Sequence, residues 1–96
     1  MKNNEEVNKF ERQAEIFKAL SNPVRLEVID VLLDGEKCVC EIIEKLNKYE
    51  QPHISKSLAK LQKGSLIESR KEGLKVFYKL RCECIGEFIK CINNII

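Results

Sequence analysis

Hydrophobic residues recur along most of the chain at the three- and four-residue spacing of amphipathic helices. The first apolar stripe consists of Val7, Phe10, Ala14, Phe17 and Leu20. Ser21-Asn22-Pro23 ends this helix and begins another, because Asn caps free amide groups and Pro fits the first helical position. The second helix, Val24 to Leu33, is apolar over most of its circumference and is ended by Asp34-Gly35. It is predicted to occupy the centre of the domain.

Two shorter helices are predicted in the middle of the chain. The third helix ends near Asn47 and carries the apolar stripe Val39, Ile42, Ile43 and Leu46. The fourth begins at Gln51-Pro52 and ends at Gly64. Its apolar stripe is thin and consists of Ile54, Leu58 and Leu61. Because its remaining faces are polar or basic, we expect this helix to present them to a ligand.

After Gly64 the pattern changes from helical to alternating, which predicts a β-hairpin. One strand runs from Leu66 to Lys71 and the other from Lys75 to Leu80, with Glu72-Gly73 at the tight turn. Helical spacing then returns in Ile85, Phe88, Ile89, Ile92, Ile95 and Ile96. The predicted fold is mainly α with a small β-hairpin, in the order ααααββα.

Length and composition indicate one globular domain covering residues 1–96, because 96 residues are too few to bury two cores. The net charge of +2 conceals an uneven distribution. Between Gln51 and Arg81 there are eight Lys or Arg residues and two Glu, so the rest of the chain is net acidic. A basic segment of this kind is expected of a protein that binds the phosphate backbone of DNA, although a solvated basic face would look the same.

Two short helices followed by a basic hairpin make a winged helix-turn-helix, whose second helix enters a major groove of double-stranded DNA. The candidate DNA contacts on that helix are Gln51, His53, Ser55, Lys56, Ser57 and Lys60. On the hairpin, we expect Arg70, Lys71 and Lys75 to reach flanking phosphates. The alternative for any one of these residues, which we favour less than DNA contact, is an ordinary solvent-facing side chain.

From about Phe17 to Ile92 the chain resembles the ArsR/SmtB regulators. The resemblance is carried by FKALSNPVRL, from Phe17 to Leu26, and by QPHISKSLAKL, from Gln51 to Leu61. It departs at Ser65, where the family usually has the Gly before the strand. The family's members are dimeric winged-helix repressors that metal ions or oxidants release from DNA. The resemblance therefore implies a homodimer, paired through the first and last helices, on an operator expected to be palindromic.

Five cysteines in a chain with no apolar signal segment or membrane span predict a cytoplasmic protein with reduced thiols. Cys38 and Cys40 stand at the start of the third helix, where the helix dipole lowers thiol pKa. On a regular helix their side chains would diverge, so they can share one ion only where the backbone is still extended. Thiolates prefer soft ions such as As(III), Cd, Zn, Cu(I) or Pb. The resemblance implies the metal(loid) site of arsenic- and cadmium-responsive members, so As(III) is favoured.

Two thiols leave a trigonal site incomplete, and three further cysteines form a possible second metal or redox site: Cys82, Cys84 and Cys91. Cys84 and Cys91 share one stripe with Phe88 and Ile95 on the last helix, along the expected dimer interface. In zinc-sensing relatives, two ligands of an interface metal site stand where Cys82 and Cys84 stand here. A small buried hydrophobic residue is the other interpretation of each cysteine, and we favour it for Cys91.

The leading hypothesis is a repressor released from its operator by a soft metal or metalloid at Cys38 and Cys40. The first alternative keeps the fold and changes the signal to a reversible disulfide or persulfide, joining Cys38 or Cys40 to a cysteine of the C-terminal group. The second is a non-catalytic protein-interaction module. An enzyme is not expected, because the chain has one His and no phosphate-binding glycine loop. No cofactor is expected to be needed for folding.

Overall fold

The computed structural model describes residues 4–96, with side chains from residue 8 onward, so the side chain of Val7 lies outside the described residues. In this part of the chain the elements are α1 (Asn4–Leu20), α2 (Pro23–Val31), β1 (Lys37–Cys38), α3 (Val39–Lys45), α4 (Gln51–Lys63), β2 (Ile67–Glu72), β3 (Lys75–Leu80) and α5 (Cys84–Asn93). The predicted order of helices and hairpin is confirmed. The strand β1 was not predicted, because two residues carry no periodic signal.

The core forms where α2, α3 and α4 meet the base of the hairpin. Its fully buried side chains include Val28, Ile29, Ile42, Ile54 and Leu61. Burying an aliphatic side chain of this size stabilises the fold by about 1.5–3 kcal/mol. The prediction that the second helix is central is confirmed, and the thin apolar stripe of α4 is sufficient to fix it on this core.

The junction between α1 and α2 is fixed by side-chain caps. The Asn22 side-chain oxygen accepts hydrogen bonds from the amides of Val24 and Arg25, at 2.9 and 3.2 Å. Arg25 then donates from Nε to the carbonyl oxygen of Ala19, at 2.6 Å, which caps the end of α1. The SNPVR segment therefore supplies both caps of the turn.

Helix α4 ends in a Schellman turn, in which the amide of Leu66 donates to the carbonyl of Leu61 and the amide of Ser65 to that of Gln62, both at 3.0 Å. Ser65 has a φ of 64° and so adopts the left-handed conformation that favours glycine. A Cβ on Gly64 would lie only 3.1 Å from the Cβ of Ala19, so glycine lets α1 approach this turn closely. Ser65 stands where the family usually has Gly, and the turn nevertheless keeps the conformation that a glycine would adopt there.

The hairpin forms a three-stranded antiparallel sheet with β1, in the order β1-β3-β2. Gly73, with a φ of 62°, forms the tight turn as predicted. Cys38 lies opposite Phe77, and Phe77 lies opposite Arg70. Directly opposed residues point to the same face of a sheet, so these three side chains form one row across it. The hairpin of β2 and β3 is the wing of the predicted winged helix-turn-helix. The sheet thereby joins the wing to the residues that precede α3.

Candidate nucleic-acid interface and cysteine pair

The polar face of α4 is exposed and lies opposite the face that packs on the core. The exposed candidates on this helix are Gln51, His53, Ser55, Lys56 and Lys60. The His53 ring packs edge-on to Tyr49, with ring centroids 5.8 Å apart. The structure thus brings these five residues to one accessible surface, as expected for a helix that enters a groove.

Ser57 is a correction to the predicted DNA contacts. Its residue is only 4% exposed, and it lies on the buried face with Ile54, Leu58 and Leu61. Position 57 is three residues after Ile54 and four before Leu61, which is the spacing of the inner face of a helix. The prediction that Ser57 faces DNA was wrong because it followed the polarity of the residue instead of this spacing.

Some cations of the wing form ion pairs and others do not, and Arg70 is one of those that do. Its guanidinium binds Glu36 through Nε and Nη2, with a shortest distance of 2.7 Å, and Glu72 through Nη1 at 2.8 Å. It also stacks over the Phe77 ring at 4.5 Å. The carboxylates of Glu36 and Glu72 raise the pKa of Arg70 further above its ordinary value. The expected phosphate contact of Arg70 therefore competes with two carboxylates that already hold it.

The other two predicted wing contacts, Lys71 and Lys75, are exposed. Within residues 4–96 neither of them forms an ion pair, whereas Lys79 lies 3.4 Å from Glu68. Lys71 and Lys75 are thus the hairpin cations that remain available to phosphate.

The cysteine pair is built where a strand becomes a helix. Cys38 ends β1 and is the N-cap of α3, with an extended backbone at φ −67° and ψ 148°. Cys40 lies in the first turn of α3, and the two sulfur atoms are 2.8 Å apart. Cys38 is buried and Cys40 is exposed. The two side chains converge because only one of them is on the helix, as the sequence analysis required.

The two thiols differ in acidity. A hydrogen bond from the Cys40 thiol lowers the pKa of Cys38, with further lowering from a backbone amide and from the charge of Lys75. The same sulfur contact raises the pKa of Cys40. Cys38 is therefore the more acidic member of the pair, and the Cys40 thiol donates to its sulfur. A soft cation that replaces the shared proton would meet both sulfurs, one of them open to solvent.

The other cysteines lie elsewhere on the chain. Cys82 and Cys84 are joined by a disulfide at the start of α5, and Cys91 is a free, exposed thiol on the same helix. Across the described residues, no three His, Cys, Asp or Glu side chains come together as a metal cluster. The C-terminal cysteines thus do not complete the site of Cys38 and Cys40 within one chain. The favoured interpretation of Cys91 as a buried residue is also wrong for the single chain.

Exposed aromatic residues of α1 and α5 form a joint apolar surface. Phe17 is 59% exposed and Phe88 41%, and their rings pack edge-on with centroids 5.8 Å apart. Phe10, at 60%, extends this surface along α1. Cys84 and Cys91 lie on the same exposed side of α5 as Phe88. The part of the predicted stripes that Phe10, Phe17 and Phe88 form is therefore open to a partner, whereas Leu20, Ile85 and Ile89 pack on the core of the same chain.

Two polar links were missed in the sequence. Glu36 holds Arg70, and Glu27 of α2 accepts a hydrogen bond from the Tyr49 hydroxyl and pairs with Lys48 at 2.8 Å. The contacts from Lys48 and Tyr49 lower the pKa of Glu27. This second link fixes the turn between α3 and α4 to the central helix. Both join residues far apart in the chain, so no spacing pattern signals them.

None of the helices between residues 4 and 96 combines the length and apolarity that crossing a membrane requires. The family model described as "Bacterial regulatory protein, arsR family" matches residues 22–69. An uncharacterized HTH-type transcriptional regulator of Methanocaldococcus jannaschii is 40% identical over 90 residues, which cover 93% of this chain and 100% of that protein. The arsenical resistance operon repressor of Staphylococcus aureus is 33% identical over 86 residues, covering 90% of this chain and 82% of its own.

Among solved structures, the homodimeric winged helix-turn-helix DNA-binding domain of Mb0332 from Mycobacterium bovis, a possible ArsR-family transcriptional regulator, superimposes with a TM-score of 0.85 at 26% identity. The match covers 98% of this chain and 86% of that one. The exposed face of α4, the basic hairpin and these similarities agree. The chain belongs to the ArsR family of winged helix-turn-helix transcriptional regulators.

Proposed function

We propose that this chain is a repressor that binds operator DNA as a homodimer and is released when a soft metal or metalloid ion binds Cys38 and Cys40. As(III) is the favoured inducer, with Cd, Zn, Cu(I) and Pb as other soft ions of the same class. The observation that carries the proposal is the convergence of the two sulfurs, 2.8 Å apart, at the start of the first helix of the reading motif.

DNA binding is supported by two surfaces of one chain. The exposed face of α4 offers amide, imidazole, hydroxyl and ammonium groups to base edges and phosphates in a major groove. On the wing, Lys71 and Lys75 are free of ion pairs within the described residues, which supports their proposed role as contacts to flanking phosphates. In this arrangement α4 reads the base sequence, and the wing holds the phosphate backbone of the DNA.

A homodimer is supported by the apolar surface of α1 and α5. Phe10, Phe17 and Phe88 would be removed from water by a second copy that packs against the same helices. The relative from Mycobacterium bovis is described as homodimeric. A twofold dimer presents two copies of α4, so its operator would be palindromic.

As(III) suits two thiols because arsenite exchanges hydroxide ligands for thiolates. Arsenous acid and the two thiols would give a dithiolate that keeps one hydroxide on arsenic, with release of two water molecules. This chemistry needs no third cysteine in the same chain, and a partner subunit or solvent is free to supply further ligands. The Staphylococcus aureus relative is named for arsenical resistance, which supports As(III) over the other ions.

Release follows from the place of Cys38 in the fold. An ion bound to Cys38 and Cys40 acts at the first turn of α3, the helix that directly precedes the recognition helix. Helices α3 and α4 both pack on α2, so a change in α3 would reach α4 through α2 and through the turn that joins the two helices. A coupling of about 1–3 kcal/mol between ion and DNA is enough for a 5- to 150-fold loss of operator affinity.

The test is a titration of the reduced dimer with As(III), Cd, Zn and Cu(I), with thiolate absorbance and operator affinity followed together. We expect Cys40→Ser to keep the operator affinity and to lose ion-induced release. The matched control is Cys91→Ser, which removes an exposed thiol outside the pair and should behave as the wild type. Release of the Cys40→Ser variant by the same ion would show that the site is assigned wrongly.

A thiol-redox repressor of the same fold is the second candidate, and the disulfide between Cys82 and Cys84 favours it. Oxidation of these two thiols at the start of α5 would act on the proposed dimer surface. Intact mass under oxidant, measured with operator affinity, separates the two functions. A mass decrease of two hydrogen atoms, which the oxidant takes up as two protons and two electrons, would favour the redox function over the ion if it accompanies release and if Cys82→Ser abolishes it.

A further inference from the structure

The cysteine pair and the wing share one row of side chains. Cys38 of β1 lies opposite Phe77 of β3, and Phe77 lies opposite Arg70 of β2. Arg70 covers the Phe77 ring at 4.5 Å. Strand β3 is the strand of the hairpin that pairs with β1, so a displacement of Cys38 acts on β3 first and reaches β2 through it.

Arg70 adds a second connection to the same strand. It binds both carboxylate oxygens of Glu36, which stands two residues before Cys38. The strand β1 pairs with β3 over only two residues, so its backbone ladder alone is a weak attachment. A guanidinium and a carboxylate that bind through two parallel hydrogen bonds fix orientation as well as distance. Strand β1 is thus attached to the wing by its ladder and by this ion pair.

Binding of an ion must move Cys38 or Cys40. The Cys40 thiol donates to the Cys38 sulfur. An ion bound to both sulfurs takes the place of this shared proton and imposes its own angle between the two ligands, so the pair rearranges to admit it. Cys38 is buried and is the member of the pair that belongs to the sheet. A rearrangement of the pair would therefore displace strand β1, which the ion pair between Glu36 and Arg70 joins to the hairpin.

We propose that the Glu36–Arg70 ion pair is a positioning device that transmits the state of the Cys38–Cys40 pair to the wing. In this role Arg70 does not bind phosphate; it couples the ion site to the strands that carry Lys71 and Lys75. The inference rests on the proposed function, because it concerns regulation of the same site. It adds the wing as a second route to the operator, beside the route through α3 and α4.

The test uses Glu36→Gln and Arg70→Gln in the dimer of the 96-residue chain, with arsenite as the probe. We measure operator affinity with and without arsenite, its salt dependence, and arsenite binding by thiolate absorbance. Both variants should keep arsenite binding, and without arsenite the operator affinity of Glu36→Gln should stay within about twofold of wild type. Arsenite-induced release should fall by about tenfold or more, within the usual range of coupling energies.

Two further variants separate coupling from folding. Glu72→Gln removes the other carboxylate partner of Arg70 but leaves the link to β1, and should release as the wild type does. The exchange Glu36→Arg with Arg70→Glu restores a pair of opposite charges and should recover much of the release. Thermal unfolding of every variant shows that the chain is folded.

The same experiment contains the results that overturn the inference. A salt slope lowered by about one in Arg70→Gln would make Arg70 a phosphate contact instead. Unchanged release in both Glu36→Gln and Arg70→Gln would show that the pair transmits nothing.

Hydrogen exchange of the β2 and β3 amides, measured without DNA, separates this inference from the proposed function. Wild type that binds arsenite without leaving the operator overturns the proposed function. In that case a change of hairpin exchange in the wild type that is lost in Arg70→Gln still supports the pair, and no change overturns it. A wild type that does not bind arsenite overturns both.

Discussion

The sulfur of Cys38 lies 2.8 Å from the sulfur of Cys40, although only one residue separates them. Side chains two positions apart on a helix point in directions about 200° apart. The pair converges because Cys38 is still in extended backbone, opposite Phe77, while Cys40 is already helical. The chemistry of the pair therefore depends on the wing strand as well as on α3.

Replacing Lys75 should change the acidity of the pair. The charge of Lys75 lowers the pKa of Cys38, so Lys75→Gln should raise that pKa and leave less thiolate at a given pH. Thiolate absorbance against pH measures it, in a background with Cys82, Cys84 and Cys91 changed to Ser. Lys71→Gln is the matched control, since Lys71 is absent from the groups that shift Cys38. An equal shift in both variants would mean that net charge acts instead of position.

Lys60 of the recognition helix should contribute to the salt dependence of DNA binding. Lys60 is exposed on α4, and its replacement by Gln should lower the slope of log affinity against log salt by about one if it holds a phosphate. Lys90→Gln removes the same charge from α5, which lies outside the proposed DNA interface. Fluorescence anisotropy with a duplex over a range of salt concentrations measures both. Equal slopes for the two variants would point to a general charge effect.

The burial of Ser57 predicts an asymmetry between two nearby serines. Ser57→Lys places a charge in the core and should lower the free energy of unfolding by about 2–4 kcal/mol. Ser55→Lys, on the exposed face, should change it by less than about 0.5 kcal/mol. Urea denaturation followed by circular dichroism measures both. Similar stabilities would show that position 57 is open to solvent.

The left-handed conformation of Ser65 predicts a stabilising substitution. Ser65→Gly relieves the steric cost of φ 64° and loses part of the gain to the freer unfolded chain. We expect a net increase of about 0.5–1 kcal/mol in the free energy of unfolding. Ser69→Gly, in the strand β2, should instead destabilise the chain. Urea denaturation of the pair decides this, and a loss of stability in Ser65→Gly would contradict it.

The helices and the hairpin could be predicted because their signals are local. Asn22 and Pro23 mark a helix start, and Gly73 marks a turn, through their own backbone and capping preferences. Even the constraint on the cysteines followed from local geometry, since two thiols at this spacing require one residue outside the helix.

The parts of the site that sequence analysis missed depend on distant neighbours. Arg70 was predicted as a phosphate contact because its basic side chain stands on a basic hairpin. Its actual partner Glu36 precedes it by 34 positions, and nothing in the spacing links them. The pairing of Cys82 with Cys84 likewise differs from the expected link to Cys38 or Cys40. Which thiols meet is decided by tertiary placement, and spacing alone does not fix it.

The glycine at the end of α4 has a consequence for the geometry of operator DNA. Its close approach to Ala19 packs the end of α1 against the end of the recognition helix. In the proposed dimer, which pairs through α1, this packing would set the distance between the two copies of α4. Such a dimer would favour half-sites whose centres lie about one helical turn of DNA apart, or a multiple of it.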